Sequence, residues 1–153
     1  MELILWRHAE AEDGRIDLSD AKRRLTEHGE EQAREMARWL KTYLPKRCRI
    51  LVSPTQRTEQ TVHRLQLTYE IEPKVGVGGT AQELLKLAGW PLAERAVLIV
   101  GHQPTLGEVA ALALTGKTAA WPVKKGAVWW LSHRERDGIA QTQLKAVINP
   151  NFL

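Results

Sequence analysis

A single cysteine among 153 residues means that no disulfide can form within the chain. The fold must hold together by burial and hydrogen bonding, and scarcity of cysteine fits a reducing compartment. Cys48 lies between Arg47 and Arg49, which favour a thiolate, yet no His or Asp stands close in sequence to make it a nucleophile. It reads as a small residue entering a strand. Long apolar runs are also absent: none approaches the roughly 20 residues that span a bilayer. Before Arg7 there is an acid at position 2 and four apolar residues, not the basic segment, apolar run and cleavage site of a secretory leader. The expectation is a cytoplasmic protein with no membrane association.

The chain also lacks a strong imbalance of charge. A net charge of +4 and a pI near 9.4 admit an anionic partner, but acids and bases are interspersed. Lys22-Arg23-Arg24 and Lys46-Arg47-Cys48-Arg49 are short enough to be solvated faces. No nucleic-acid-binding module is recognisable, so nucleic acid is not an expected partner. There is no repeat, low-complexity tract or linker. With 43% hydrophobic and 26% charged residues the composition is that of a globular domain, and residues 1–153 are expected to form one.

Within that length, helical and strand signals alternate. Residues 2–6 are continuously apolar, as in a strand buried on both faces, and give way to a polar stretch beginning Arg7-His8-Ala9-Glu10. Ala33, Met36, Ala37, Leu40, Tyr43 and Leu44 fall at helical spacing within 30–44, with Pro45 as the stop. Residues 50–52 form the next buried strand, closed by Ser53-Pro54, and a helix is predicted over 55–67 with Thr58, Thr61, Val62 and Leu65 on one face. A Gly-rich loop at 75–79 precedes a short helix through Leu84, Leu85 and Leu87. Residues 96–100 repeat the strand pattern and end in Gly101-His102-Gln103-Pro104. The following helix carries Leu106, Val109, Ala110, Ala113 and Leu114 and stops at Gly116. Strands at 126–132 and 143–148 finish the chain, and Trp129-Trp130 should place one ring on each sheet face. This order predicts an α/β fold with a mainly parallel sheet covered on both faces.

Ligands in such sheets bind beyond the carboxyl ends of the strands. Three strands here end in polar groups: Arg7-His8, Ser53-Pro54-x-x-Arg57 and Gly101-His102. Strand order alone therefore gathers Arg7, His8, Arg57 and His102 at one edge. Two guanidiniums and two imidazoles are rich in donors and suit a phosphoryl dianion. The helix starts near Pro54 and Pro104 would add N–H groups and positive dipole ends. A neutral imidazole can attack phosphorus, and adjacent Arg7 and Arg57 would keep His8 from protonating in the free protein. The same cations would repel a metal, and Glu10, Glu12 and Asp13 match no ligand pattern, so neither metal nor cofactor is expected. His28, His63 and His133 read as ordinary surface or packing residues. Gly76-x-Gly78-Gly79 is a weak match to a phosphate loop, lacking a following Lys.

Leu5-Trp6-Arg7-His8-Ala9-Glu10 resembles the Arg-His-Gly-Glu signature of the histidine phosphatase superfamily. The resemblance continues through Arg24-Leu25-Thr26-Glu27-His28-Gly29, Ser53-Pro54-Thr55-Gln56-Arg57-Thr58-Glu59-Gln60-Thr61 and Val100-Gly101-His102-Gln103-Pro104. Arg-His-Ala-Glu, Leu-Thr-x-x-Gly and the short chain look most like the bacterial SixA-type phosphohistidine phosphatase branch. This resemblance implies a phosphoglycerate mutase-like three-layer α/β/α sandwich working without metal. It also implies that His8 accepts the phosphoryl group while Arg7, Arg57 and His102 bind it. The expected reaction is then completed by water, and the expected substrate is a phosphohistidine-bearing protein. A phosphatase or mutase for a small phosphorylated metabolite, and a non-catalytic phosphate-binding module, are the alternatives.

The chain departs from the wider pattern in two places. Ala9 replaces the usual Gly, so a Cβ must fit beside the pocket. No leaving-group acid is evident: Gln103 follows the second His where acid phosphatases carry Asp, and Glu83 is the nearest carboxylate of the middle segment. A phosphoramidate has a labile P–N bond and tolerates that lack better than an alkyl ester.

Overall fold

The computed structural model describes residues 1–153. Each apolar run of the sequence becomes a central strand: β1 (Glu2–Arg7), β2 (Arg49–Val52) and β4 (Val97–Gly101). A two-residue edge strand, β3 (Glu70–Ile71), and a long hairpin, β5 (Val128–Arg136) and β6 (Ile139–Ile148), complete the sheet. The strand order is β3-β2-β4-β1-β5-β6. The β1–β4, β2–β4 and β2–β3 pairings are parallel, and the β1–β5 and β5–β6 pairings antiparallel. The sheet is thus mixed and the fold α/β, as expected.

Four helices cover it: α1 (Glu27–Tyr43), α2 (Gln56–His63), α3 (Ala81–Ala88) and α4 (Thr105–Thr115). Successive side chains of a strand point to opposite faces, which splits the apolar runs into two cores. Leu3, Leu5, Leu51 and Ile99 pack with Leu84, Leu106 and Val109 on one face. Ile4, Trp6, Val52 and Leu98 pack with Met36, Leu40 and Val62 on the other. Burying each of these aliphatic side chains contributes roughly 1.5–3 kcal/mol, and two apolar faces are why the strands show no polar alternation. Trp129 and Trp130 divide between the faces in the same way.

Several boundaries differ from the periodicity. Helix α1 begins at Glu27, three residues early, because Thr26 caps it: its hydroxyl accepts the Gly29 N–H at 2.9 Å. That first turn buries little, so the apolar stripe does not report it. Helix α2 stops at His63, and Gln66 turns the chain at φ 55°. Strand β3 is exposed and carries no apolar signature. The hairpin strands extend beyond their apolar positions because Asp137 and Gly138, both at positive φ, form the tight turn between them.

Pairing aligns the working ends of the sheet. Arg7 lies opposite Gly101, and Val52 opposite Val100, so the carboxyl ends of β1, β4 and β2 finish side by side.

Candidate active site

The turn after β1 is held along its backbone. The His8 N–H donates to the Gly101 carbonyl at 3.1 Å, and the His8 carbonyl accepts the Gly126 N–H at 3.0 Å. Ala9 N–H donates to Thr61 Oγ1 at 3.1 Å, and Glu10 N–H to Gln32 Oε1 at 2.9 Å. The Ala9 Cβ fits because it enters a small apolar cluster with Leu25 and Ala33. Gly29 is required one layer out: a Cβ there would stand 1.9 Å from the Glu10 carbonyl oxygen. The Leu-Thr-x-x-Gly pattern therefore lets α1 approach the turn that carries His8.

His8 and His102 face each other with ring centroids 5.3 Å apart, and both are buried. His8 Nδ1 lies 2.7 Å from the Ala9 carbonyl oxygen. A carbonyl only accepts, so Nδ1 carries the proton and Nε2 presents its lone pair. Burial lowers the His8 pKa to about 3, and the charges of His102, Arg57 and Arg7 push the same way. The sequence pointed to the arginines as the cause; desolvation is the larger one. His102 is lowered to about 4, again first by burial and then by Arg57. Its Nε2 is 2.7 Å from Ser53 Oγ, a buried hydroxyl at the end of β2.

The arginines are braced rather than free. Arg7 Nη1 donates to the Val123 carbonyl at 2.9 Å. Arg57, in the first turn of α2, is 2% exposed, unlike an ordinary helix-surface arginine. Its Nη1 donates to the Asp20 carbonyl at 2.7 Å and its Nη2 to Asp20 Oδ2 at 2.9 Å. The Nε atoms of Arg7 and Arg57 are buried without a partner. Unsatisfied buried donors are costly.

A cavity of about 300 Å³ collects these groups, with Arg7, His8, Arg57 and His102 all on its wall. Asp20, Arg23 and Lys125 also line it, and none of them was expected at the site from the sequence. Asp20 and Arg23 lie in a polar stretch without periodicity, and Lys125 in a loop just before β5. The only signal was the conjunction of basic residues with an anion-binding pocket. Asp20 is the sole carboxylate on the wall, and its hydrogen bonds to Arg57 and Arg23 hold it below the usual carboxylate range. It has no proton to give near neutral pH.

Other candidates find structural places. Glu83 does not line the cavity; it closes a capping box with Thr80 at the start of α3. Gln103 does line it, but both ends of its amide are engaged: Nε2 donates to the Trp121 carbonyl at 2.8 Å and Oε1 accepts the Gly107 N–H at 2.7 Å. At the two helix starts the Thr58 and Gly107 N–H groups are thus already taken, by Thr55 and Gln103. Of residues 76–79 only Val77 lies on the wall. Cys48 is partly buried and desolvation raises its thiol to about 11, against a reactive thiolate. No three of His, Cys, Asp and Glu cluster in a way that would hold a metal ion, and no helix is long and apolar enough to cross a membrane.

A family model for the histidine phosphatase superfamily (branch 1) matches residues 3–76. A phosphohistidine phosphatase SixA homolog of Haemophilus influenzae is 33% identical over 130 residues, covering 72% of this chain and 76% of that protein. Phosphohistidine phosphatase SixA of Escherichia coli is 32% identical over 129 residues, covering 77% of each. A solved structure of the protein histidine phosphatase SixA complexed with tungstate superposes with a TM-score of 0.77 at 26% identity, over 99% of both chains.

Proposed function

The chain belongs to the histidine phosphatase superfamily, and from that premise we propose that it hydrolyses phosphohistidine on a protein through a phosphoryl intermediate on His8. The observation that carries the mechanism is the His8 Nδ1 contact to the Ala9 carbonyl at 2.7 Å, which leaves Nε2 as an unprotonated nucleophile.

In the first step His8 Nε2 attacks phosphorus in line with the leaving group. A P–N bond to His8 forms as the bond to the substrate's nitrogen breaks, and that nitrogen takes its proton from solvent. Arg7, Arg57 and His102 meet the equatorial oxygens, where charge gathers in the transition state. In the second step water attacks the phosphorus of phospho-His8. Inorganic phosphate leaves, the water proton passes to solvent or to phosphate, and Nε2 regains its lone pair. The chain's fixed donors supply the electrostatic stabilisation, so no metal is needed in either step.

The substrate assignment is supported by the similarity to SixA proteins and by the wall of the cavity. Its one carboxylate, Asp20, is held ionised by two arginines. Expelling an alkoxide calls for a general acid, whereas an imidazole leaving group is protonated readily by water. The cavity also opens to solvent beside exposed lysines, so a side chain of another protein can reach it. A cytoplasmic location fits such a substrate.

The test measures turnover of an aryl phosphate with chelator present, followed by competition between a phosphohistidine protein and a panel of small phosphate esters. The expected results are full activity with chelator, loss of more than about a thousandfold in His8→Ala, and preference for the phosphohistidine protein. Residual activity in His8→Ala equal to wild type would sink the mechanism. Preference for one small ester would sink the substrate assignment.

A further inference from the structure

A second cavity, of about 510 Å³, adjoins the phosphoryl pocket, and the two share Arg7 and Lys125 on their walls. Besides these residues it is lined by Gln32, Lys124, Asn149, Pro150 and Asn151. Three cations and three amides face it, and no carboxylate does. The mechanism above uses only Arg7 of this set.

The wall is fixed by the contacts that fix His8. The loop carrying the two lysines is tied to β1 through Arg7 Nη1 to the Val123 carbonyl and the Gly126 N–H to the His8 carbonyl. Gly126 sits at φ +74°, and a Cβ there would meet Pro150 Cγ at 2.9 Å and Gln32 Cβ at 3.4 Å. Loop, C-terminal turn and α1 therefore converge at one glycine and frame the cavity together. Gln32 is oriented as well: its Oε1 accepts the Glu10 N–H at 2.9 Å, which leaves its NH₂ as the free end of the amide.

We propose that this cavity is a subsite for an acidic residue of the polypeptide that carries the phosphorylated side chain, with Lys124 as a specificity-determining residue. The inference rests on the reading of a protein substrate. The cations and the free amide end select an anion. A lone carboxylate would fill only a small part of about 510 Å³, and the asparagine amides can both donate to and accept from peptide groups. An acidic side chain together with its own backbone satisfies the whole wall. Sharing Arg7 and Lys125 places that acid on a segment next to the phosphoryl group, not at a remote docking face.

Two phosphohistidine peptides of matched sequence test this, one with Asp and Glu flanking the phosphohistidine and one with Asn and Gln. The reading is the ratio of their kcat/KM values, compared within each enzyme, with an aryl phosphate assayed alongside. Wild type is expected to prefer the acidic peptide by about tenfold, most of it in KM, and the preference should fall as salt rises. In Lys124→Gln the ratio should drop towards one, and in Lys124→Glu it should invert. A wild-type ratio of one, or an unchanged ratio in Lys124→Glu, overturns the subsite while leaving phosphohistidine turnover intact. Failure to hydrolyse either peptide while the aryl phosphate is consumed overturns the protein-substrate reading and the subsite with it.

Discussion

Acid should destabilise this protein well before its carboxylates titrate, and the two facing histidines set the amount. In the unfolded chain an imidazole titrates near 6.5, whereas in the fold His8 titrates at about 3 and His102 at about 4. Between those values the unfolded chain binds up to about two more protons than the folded one, so stability is full above the unfolded pKa and falls as pH drops. Going from pH 7 to pH 5 costs about 2 kcal/mol for each histidine, about 4 kcal/mol together. That is a large fraction of the roughly 5–15 kcal/mol available to a domain. Urea unfolding at pH 7, 6 and 5, on wild type and on His8→Gln/His102→Gln, isolates the effect. The double variant should lose most of the pH dependence that wild type shows over this range. Equal losses in both proteins would refute the claim that the fold holds these imidazoles neutral.

Two further outcomes follow from the braces around the pocket. Asp20→Asn keeps the backbone contact to Arg57 Nη1 but removes the only negative charge on the wall, so inorganic phosphate should bind tighter by roughly 1 kcal/mol, about fivefold. Isothermal titration reads this directly, and weaker binding would show that the carboxylate's hold on Arg57 outweighs its repulsion of the anion. Gly29→Ala forces a Cβ against backbone at 1.9 Å from the Glu10 oxygen, a clash that no rotamer relieves. A loss of more than about 2 kcal/mol in urea unfolding is expected, and no loss, or the gain of up to about 1 kcal/mol that helix propensity alone gives Ala over Gly, would contradict it.

The central strands and the meeting of Arg7, His8, Arg57 and His102 were legible because both follow from hydrophobic patterning. Apolar runs buried on two faces mark parallel strands, and polar groups at their ends mark the functional edge. What escaped the pattern depends on tertiary contacts. The first turn of α1 exists through the Thr26 cap and the glycine approach to Glu10, and β3 is too short and exposed to carry a signature. Asp20 reaches Arg57 from 37 residues away through a stretch with no period at all. Ser53 was visible at its strand end, but its bond to His102 required the two strands to be neighbours. Glu83 shows the reverse case, a carboxylate open to a catalytic reading in sequence that the fold uses to start a helix.

The central claim is that His8 Nε2 takes the phosphoryl group. Mixing the enzyme with a ³²P-labelled phosphorylated substrate and quenching in alkali, where phosphohistidine survives, captures the intermediate for peptide mapping. Label is expected on the peptide containing His8, lost on treatment with acid and absent from His8→Ala. Turnover in wild type with no label retained on the protein, or label mapping to the peptide of His102, would contradict the account.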